Sequence, residues 1–427
     1  MSENQELAAY GGSQTIPESF KRYNPIGREE EEAAVEVIRS GRLSGFIGAW
    51  VPEFYGGDKV KEFERNCRSY FKVDFAVSVN SWTSGLIAAV GALDIEPGDE
   101  IITSTWTMSA TAMAIIHWNA IPVFADIDEN TYCIDPVSIR KNITSRTRAI
   151  IAVDIFGQSC DYIAIREIAD EFNLIIISDT AQAPGSRVDG VSSGTLADIG
   201  GFSLNYHKHI NTGEGGVLVT NNQYFAERMQ LIRNHAESVV AGIGTENISN
   251  MIGYNFRLGE IEAAIASEQL KKLDSLVERR QQIAKRITQG LENLRGLKTP
   301  FVSSNSTHVF YKYAMQIDPS ILPFGKDVLV ELLKQEGIPG LTTRYVNVHL
   351  LPIFQKKIAY GSSGYPWKFQ LDGLSRDYSK GICPTAEKLQ DETYFAIDLC
   401  EFEFSDSQVD KIVTAFEKVW NHLQINY

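Results

Sequence analysis

Seven short runs rich in β-branched residues alternate with segments of helical periodicity between about residues 75 and 222. This alternation predicts a mostly parallel β-sheet covered by helices on both faces. Two runs, RAIIAVDIF and NLIIISD, are apolar almost throughout, which predicts central strands. A functional site is then expected at the carboxyl ends of the strands, where open sheets leave a crevice. The runs are FAVSV (75–79), DEIITS (99–104), IPVFADI (121–127), RAIIAVDIF (148–156), NLIIISD (173–179), IGGFSLN (199–205) and GGVLVTN (215–221).

The chain beyond this region predicts a second, smaller lobe. A helical pattern without proline covers residues 260–294 and is expected to connect the two lobes. Strand-like and helical patterns follow it, which favours an α+β arrangement. We therefore predict a large α/β domain with an N-terminal arm over residues 1–280 and a small α+β domain over residues 281–427. The stretch 358–380, rich in Gly, Ser and aromatic residues, predicts an exposed loop with a functional role.

Composition excludes several classes of function. The 427 residues include 40 Lys and Arg against 54 Asp and Glu, a net charge of −14, which argues against a nucleic-acid-binding protein. Five scattered cysteines do not form a disulfide framework and favour a reducing compartment. The sequence has neither a signal-peptide pattern nor 18 consecutive apolar residues, so we predict a cytoplasmic protein with no membrane partner.

Polar residues follow three of the predicted strands. Residues 80–84 lead into a helix, whose free N–H groups favour an anion, although a plain helix cap is the simpler alternative. Asp179 closes a buried strand, where a carboxylate either caps the next turn or meets a cationic ligand. Lys208 precedes a Gly-rich turn, where it is a surface lysine or a desolvated amine able to attack a carbonyl. His207 and His209 lack a third ligand, so no metal site is predicted.

A phosphate cup, a strand-end aspartate and a strand-end lysine are the three groups that pyridoxal 5'-phosphate (PLP) requires. Six ordered segments carry them: GDEIITSTWTMSATAMAI, IPVFADIDENTYCIDPVSI, TRAIIAVDIFGQSCD, ISDTAQAPGS, FSLNYHKHINTGEGGVLVTN and GYNFRLGEIEAAIASEQL. Their sequence and order resemble the DegT/DnrJ/EryC1/StrS family of PLP-dependent sugar aminotransferases. The resemblance runs from SGRLSG near residue 40 to CPTAEKL at residue 383. It implies the aspartate-aminotransferase-like architecture called fold type I.

The resemblance also implies roles for individual residues. Lys208 would form an imine with the cofactor and move the reacting proton, and Asp179 would pair with the pyridine nitrogen. Gln182 would lie against the cofactor ring, and Tyr345 and His349 would contact the substrate. The phosphate would be held by a group of three residues: Ser203 and the backbone of Trp82 and Thr83.

In this family an asparagine of the GYN motif reaches the phosphate of the neighbouring subunit, which corresponds to Asn255. A homodimer with shared active sites is the implied assembly. The sequence departs from the family pattern at two cofactor-contacting positions. Trp82 replaces a small residue of the phosphate turn, and Met108 replaces an aromatic residue that stacks on the cofactor. Either Trp82 or Trp106 could supply aromatic surface instead, or the changes are drift at tolerant positions.

The predicted reaction is transfer of an amino group from Glu or Gln to a keto-sugar, most simply a nucleotide-linked keto-deoxysugar. A first alternative is a keto-cyclitol or another acceptor without a nucleotide, because the YPW segment after His349 resembles an extended loop of the cyclitol and aminobenzoate-forming branches. A second is a PLP-dependent sugar dehydratase, which carries His in place of the lysine, so Lys208 counts against it. A third is a non-catalytic regulator on the same fold, which the intact Lys208, Asp179 and Ser203 disfavour.

Overall fold

A computed structural model of the protein describes residues 6–322, 324–369 and 376–423. The strands are β1 (Phe75–Val79), β2 (Glu100–Ser104), β3 (Ile121–Ala125), β4 (Thr147–Val153), β5 (Ile175–Asp179), β6 (Arg187–Val188), β7 (Val191–Ser192), β8 (Ile199–Ser203), β9 (Gly216–Thr220), β10 (Leu297–Lys298), β11 (Ser306–Thr307), β12 (Lys312–Ile317), β13 (Leu341–Thr342) and β14 (Tyr394–Asp398). The helices are α1 (Arg28–Ser40), α2 (Asp58–Phe71), α3 (Trp82–Gly91), α4 (Ser109–His117), α5 (Pro136–Asn142), α6 (Tyr162–Phe172), α7 (Gln223–Arg233), α8 (Ala236–Ile243), α9 (Glu260–Leu291), α10 (Lys326–Gln335), α11 (Pro352–Lys356), α12 (Pro384–Lys388) and α13 (Asp406–His422).

A seven-stranded sheet in the order β1-β9-β8-β5-β4-β2-β3 forms the centre of the large lobe. Strands β8, β5, β4, β2 and β3 run parallel, whereas β9 runs antiparallel to β8 and β1. The predicted mostly parallel sheet is therefore confirmed. Strands β4 and β5, which come from the two most apolar runs, lie in its interior and are buried almost throughout.

The strand register defines two opposite edges of this sheet. Val153 is the partner of Asp179, and Ser104 is the partner of Ala125, so these residues share the carboxyl edge. Glu100 lies at the start of β2, on the amino edge. A site at the carboxyl ends of the strands therefore lies one strand length from Glu100, about 13 Å for four residues.

The small lobe contains a four-stranded antiparallel sheet, β10-β12-β14-β13, packed against α10 and α13. Helix α9 connects the two lobes, as the uninterrupted helical pattern predicted. Its first half contributes Ala263 and Leu273 to a core shared with β8 and β9, and its second half contributes Ile283 and Ile287 to the core of the small lobe.

Two segments pack across the boundary predicted at residue 280. Leu7 and Ile16 of the N-terminal arm lie in the core of the small lobe, and Thr15 donates to the buried Glu336 through its N–H at 3.0 Å. Conversely, Val348 and Phe354 pack with the residues that cover the main sheet. Both crossings bury apolar side chains against the other lobe, so the lobes do not correspond to two uninterrupted stretches of chain.

The stretch 358–380 was predicted to be an exposed loop, and its described residues are anchored at the amino edge of the main sheet. Arg376 donates to the fully buried Glu100, with 2.8 Å between Nε and Oε1. The Tyr378 hydroxyl donates to the Pro122 carbonyl at 2.8 Å, and the Trp367 indole donates to the Tyr378 hydroxyl at 3.0 Å. Residues 370–375 of this prediction lie outside the described residues. The Arg376 guanidinium and the Tyr378 hydroxyl therefore lie at the amino edge, whereas the Tyr378 carbonyl accepts Gln355, which also donates to the His349 carbonyl.

The five cysteines are all free and buried. None of the helices in the described part of the chain combines the length and apolar composition that a membrane span requires.

Candidate active site

Asp179 ends β5 at the carboxyl edge and is only 4% exposed. Trp82 donates its indole N–H to Oδ1 at 2.7 Å, and Thr111 donates its hydroxyl to Oδ2 at 2.8 Å. The N–H of Ala181 also points to Oδ1 at 3.3 Å, so the predicted turn cap is present as well. Burial raises the pKa of Asp179, whereas Thr111, Trp82 and the nearby Lys208 lower it. The site thus contains a fixed, buried carboxylate.

Lys208 lies in the turn after β8 and is 7% exposed, which excludes the surface-lysine alternative. Its Nζ is 4.5 Å from the centre of the Tyr311 ring. Burial lowers the pKa of Lys208 to about 8, and Asp179 acts against this decrease. At neutral pH roughly a tenth of such a lysine is an uncharged amine, compared with far less than a hundredth of an ordinary one. Lys208 is therefore a buried amine that is partly uncharged at neutral pH and can act as a nucleophile near the Asp179 carboxylate.

The N-terminus of α3 provides an anion-binding arrangement near the same edge. Ser81 caps the helix by accepting the N–H of Ser84 at 3.1 Å, which leaves the first helical N–H groups, those of Trp82 and Thr83, without partners within the helix. A Cβ on Gly216 would lie 2.9 Å from the Trp82 nitrogen, so glycine is required for this approach. Ser203 is the cross-strand partner of Gly216. The predicted phosphate-holding residues therefore lie together.

Gln182 connects the sheet edge to the small lobe. Its Oε1 accepts the N–H of Phe156 at 2.8 Å, and its Nε2 donates to the Tyr345 hydroxyl at 3.0 Å. The edge of the Tyr345 ring meets the Phe156 ring, with centroids 5.2 Å apart. Burial raises the pKa of Tyr345 to about 12, so its hydroxyl keeps its proton. Gln182 and Tyr345 form one hydrogen-bonded unit beside Asp179.

His349 is enclosed by protein groups. It is fully buried, and its Nδ1 lies 2.5 Å from the Thr105 hydroxyl while its Nε2 lies 3.0 Å from a Glu387 carboxylate oxygen. Both ring nitrogens therefore have protein partners. This geometry favours a role in attaching the segment that carries Tyr345 to the end of β2, and substrate contact by His349 remains a prediction.

The exposure of three side chains, Met108, Trp106 and Trp82, decides which of them is open to stack on a cofactor ring. Met108 is 62% exposed at the start of α4, so its thioether is open to a ligand at this end of the helix. Trp106 is fully buried and donates its indole N–H to Asn347 at 2.7 Å. The Trp82 ring is also buried and directed to Asp179. Of the three side chains, Met108 alone is exposed.

Asn255 lies close to the phosphate-holding turn of its own chain. Its carbonyl accepts the Asn80 side chain at 3.3 Å, and its side chain is exposed. An exposed amide beside this turn is available to a second subunit.

Sequence reasoning missed Thr111 and Tyr311, which contact Asp179 and Lys208. Thr111 lies four residues after Thr107, whose hydroxyl is 2.6 Å away, and only this spacing could have indicated it. Tyr311 comes from the small lobe, more than 100 residues from Lys208. His207 and His209 belong to no metal cluster, because the described residues contain no group of three His, Cys, Asp or Glu side chains able to hold a metal.

The residues present fit PLP. A desolvated amine, a fixed carboxylate and an unpartnered helix N-terminus at one sheet edge match the cofactor's aldehyde, ring nitrogen and phosphate. The Gly216 approach supports this fit, because it brings the helix N-terminus against β9 beside Ser203.

Comparison with known proteins decides the family. The model of the DegT/DnrJ/EryC1/StrS aminotransferase family matches residues 29–368. The chain belongs to this family. Its predicted enzyme class, a PLP-dependent sugar aminotransferase, and its fold type I architecture are thereby confirmed. PLP is the cofactor expected for this family member.

Individual relatives agree with this assignment. The spore coat polysaccharide biosynthesis protein SpsC of Bacillus subtilis is 35% identical over 80% of this chain and 86% of its own length. The dTDP-3-amino-3,4,6-trideoxy-alpha-D-glucose transaminase of Streptomyces venezuelae is 32% identical over 78% of this chain and 82% of its own. The crystal structure of an aminotransferase from Psychrobacter cryohalolentis superposes with a TM-score of 0.80 at 26% identity, covering 95% of this chain and all of that one.

Proposed function

We propose that this aminotransferase moves an amino group from Glu or Gln to the keto group of a nucleotide-linked keto-deoxysugar in the cytoplasm. The observation that carries the proposal is the buried Lys208 amine beside the buried Asp179 carboxylate at the carboxyl edge of the sheet. The name of the Streptomyces venezuelae relative supports a nucleotide-linked sugar. Five free, buried cysteines fit a reducing compartment.

Lys208 has two tasks in this reaction. Its lowered pKa makes part of the Nζ population an uncharged nucleophile at neutral pH, which is what attachment of an aldehyde requires. Once released, the same Nζ takes a proton from the amino-bearing carbon of the donor and returns one to the corresponding carbon of the sugar. PLP, when bound, supplies the electron-withdrawing ring that makes this carbon acidic.

Asp179 and Gln182 hold the surroundings of that proton transfer in place. The Asp179 carboxylate presents negative charge where a protonated ring nitrogen would lie, and two donors prevent it from rotating. Gln182 is held between Phe156 and Tyr345, so its amide has a defined position beside the same carboxylate. Met108 provides an exposed thioether that can rest on an aromatic face.

The proposed functional unit is a homodimer with shared active sites. Asn255 has an exposed side chain next to the phosphate-holding turn, which suits a residue that crosses a two-fold interface. Under this proposal each subunit supplies Lys208 and Asp179 to its own site and Asn255 to the site of its partner.

The direct experiment incubates the purified protein with PLP, a dTDP-linked 3-keto or 4-keto deoxysugar, and either Glu or Gln. We expect formation of an aminosugar nucleotide, detected by mass spectrometry, together with the keto acid of the active donor. Lys208→Ala is the matched negative control, and borohydride reduction should attach the cofactor to the Lys208 peptide. Labelling of another lysine, or product formation by Lys208→Ala, would contradict the assignment.

The keto-cyclitol alternative stays a prediction to be tested. The YPW segment that suggested it belongs to the stretch 358–380, whose described part is anchored to Glu100 and Pro122 at the amino edge. Including a keto-cyclitol without a nucleotide in the same assay tests it directly. Turnover of that acceptor in preference to the nucleotide sugar would establish the alternative.

A further inference from the structure

The Trp82 side chain makes a contact that its backbone role does not require. Its indole N–H donates to Asp179 Oδ1 at 2.7 Å, in a position where both partners are at least 94% buried. Hydrogen bonds to a buried carboxylate are strong, because the charged acceptor has few water molecules to compete for it. Asp179 is 97 residues away in the chain, so this contact is a product of the fold.

The surroundings of the indole are shaped to accommodate it. A Cβ on Gly201 would lie 2.1 Å from the Trp82 ring, and a Cβ on Gly85 would lie 2.8 Å from it. Gly201 is the cross-strand partner of Asp179, so the ring lies on the strand next to the carboxylate. The ring therefore fills space that only glycine leaves free, and it holds its N–H in one orientation.

The second carboxylate oxygen has its own donor. Thr111 donates to Oδ2 at 2.8 Å, so its oxygen is left to accept the Thr107 hydroxyl 2.6 Å away. Without Trp82, Oδ1 would retain only the longer contact from the Ala181 N–H at 3.3 Å. The two carboxylate oxygens are thus stabilised by one side-chain donor each, and the indole is the sole close one on Oδ1 among the described residues.

We propose that Trp82 is a positioning residue, whose indole N–H keeps Asp179 ionised and correctly oriented for the cofactor ring. The inference deepens the proposed function and rests on it. The same residue offers its backbone N–H at the start of α3, so the phosphate-holding turn and the carboxylate are connected through one side chain. A small residue in that turn would provide the backbone N–H alone.

The test compares Trp82→Phe with Trp118→Phe. Phenylalanine keeps a buried ring and removes the donor. Trp118 is the matched control, because it is 5% exposed and donates its indole N–H at 2.7 Å to a backbone carbonyl, that of Ile87. Infrared difference spectra of the cofactor-free full chain, recorded over a pH series, report the protonation of Asp179 through a band that Asp179→Asn lacks.

Loss of one hydrogen bond to a charged group should make Asp179 about 10- to 100-fold weaker as an acid in Trp82→Phe, with no change in Trp118→Phe. In the loaded enzyme kcat should fall by about 10-fold while KM stays within about twofold. This loss should be independent of pH, because the carboxylate and the ring nitrogen would share one proton, and its distribution between them does not depend on pH. A merely structural defect would lower kcat without moving the infrared midpoint of Asp179.

A measurement on the wild-type chain covers the case in which Trp82→Phe does not fold. Among the six tryptophan indole N–H resonances in an NMR titration, one should follow the ionisation of Asp179 and lose this dependence in Asp179→Asn. If no indole resonance does so, or if both phenylalanine variants show the same Asp179 midpoint, Trp82 does not position the carboxylate. A wild-type protein that binds no PLP would instead refute the proposed function, because the infrared and NMR measurements need no cofactor.

Discussion

Substitution of Lys208 by methionine should stabilise the cofactor-free protein at neutral pH. The lysine is 7% exposed, and burial lowers its pKa from 10.5 to about 8. At about 1.36 kcal/mol per tenfold change, this decrease corresponds to an unfavourable contribution of roughly 3 kcal/mol while the lysine is charged. Methionine keeps the apolar stem and removes that charge. The lowered pKa already includes the attraction of Asp179, and imperfect packing of the methionine reduces the benefit, so the expected gain is about 1–3 kcal/mol.

The pH dependence identifies the cause of the gain. A lysine whose pKa is lower in the folded state opposes folding fully at every pH below about 8. This opposition falls as the pH rises and disappears above 10.5, where the lysine is neutral in both states. The advantage of Lys208→Met should therefore be complete at pH 7 and nearly absent at pH 10.5. Taking the difference from wild type at each pH removes contributions from groups that titrate in both proteins.

Urea unfolding of the cofactor-free protein, at a fixed protein concentration, provides the measurement. With a denaturant dependence of about 3 kcal/mol per molar urea, the midpoint should rise by about 0.3–1 M at pH 7. Lys285→Met is the control, because Lys285 is an exposed lysine of α9. If Lys208→Met is no more stable than wild type at pH 7, or if its advantage is equal at both pH values, Lys208 is not desolvated as described.

Three further predictions concern catalysis, assembly and stability. Asp179→Asn should retain most PLP binding, measured by cofactor absorbance, but lose about 100-fold or more in kcat, because an amide does not hold a ring nitrogen protonated. Near-normal turnover would mean that Asp179 only caps the turn after β5. Mixing inactive Lys208→Ala with inactive Asn255→Ala chains should restore about half of the activity per mixed dimer, because one of its sites has neither defect; no recovery after subunit exchange is demonstrated by mass spectrometry would place Asn255 in its own subunit's site. Glu100→Gln should destabilise the protein by about 3 kcal/mol, seen as a lower melting temperature, because Arg146 and Arg376 lose a buried partner; melting unchanged from wild type would contradict this role.

Much of the large lobe could be predicted from the sequence, because its signals are local. The β-branched runs that became β4 and β5 are apolar on both faces, and strands with this pattern have few positions other than the interior of a sheet. Asp179 and Lys208 follow strands of that sheet, so their location at its carboxyl edge depends only on strand direction. The uninterrupted helix α9 was equally visible, because no proline breaks it over 32 residues.

The N-terminal arm and the segment that contains Val348 and Phe354 could not be assigned to a lobe from the sequence. Their apolar residues would be buried equally well against either core, and local periodicity does not encode which one they meet. The same holds for the stretch 358–380, whose anchor Arg376 pairs with Glu100 of a strand 276 residues earlier.

By itself, the sequence determined that Asp179 and Lys208 lie at the carboxyl edge of the sheet, because alternation and strand direction depend on neighbouring residues. Only the tertiary structure decided how those groups are tuned. Asp179 receives Trp82 and Thr111 from positions 97 and 68 residues away, and Lys208 meets the Tyr311 ring from the small lobe. Hydrogen bonds and desolvation act over a few ångströms in space. Residues far apart in the sequence reach that distance only when the lobes pack, so these contacts cannot be read from the sequence.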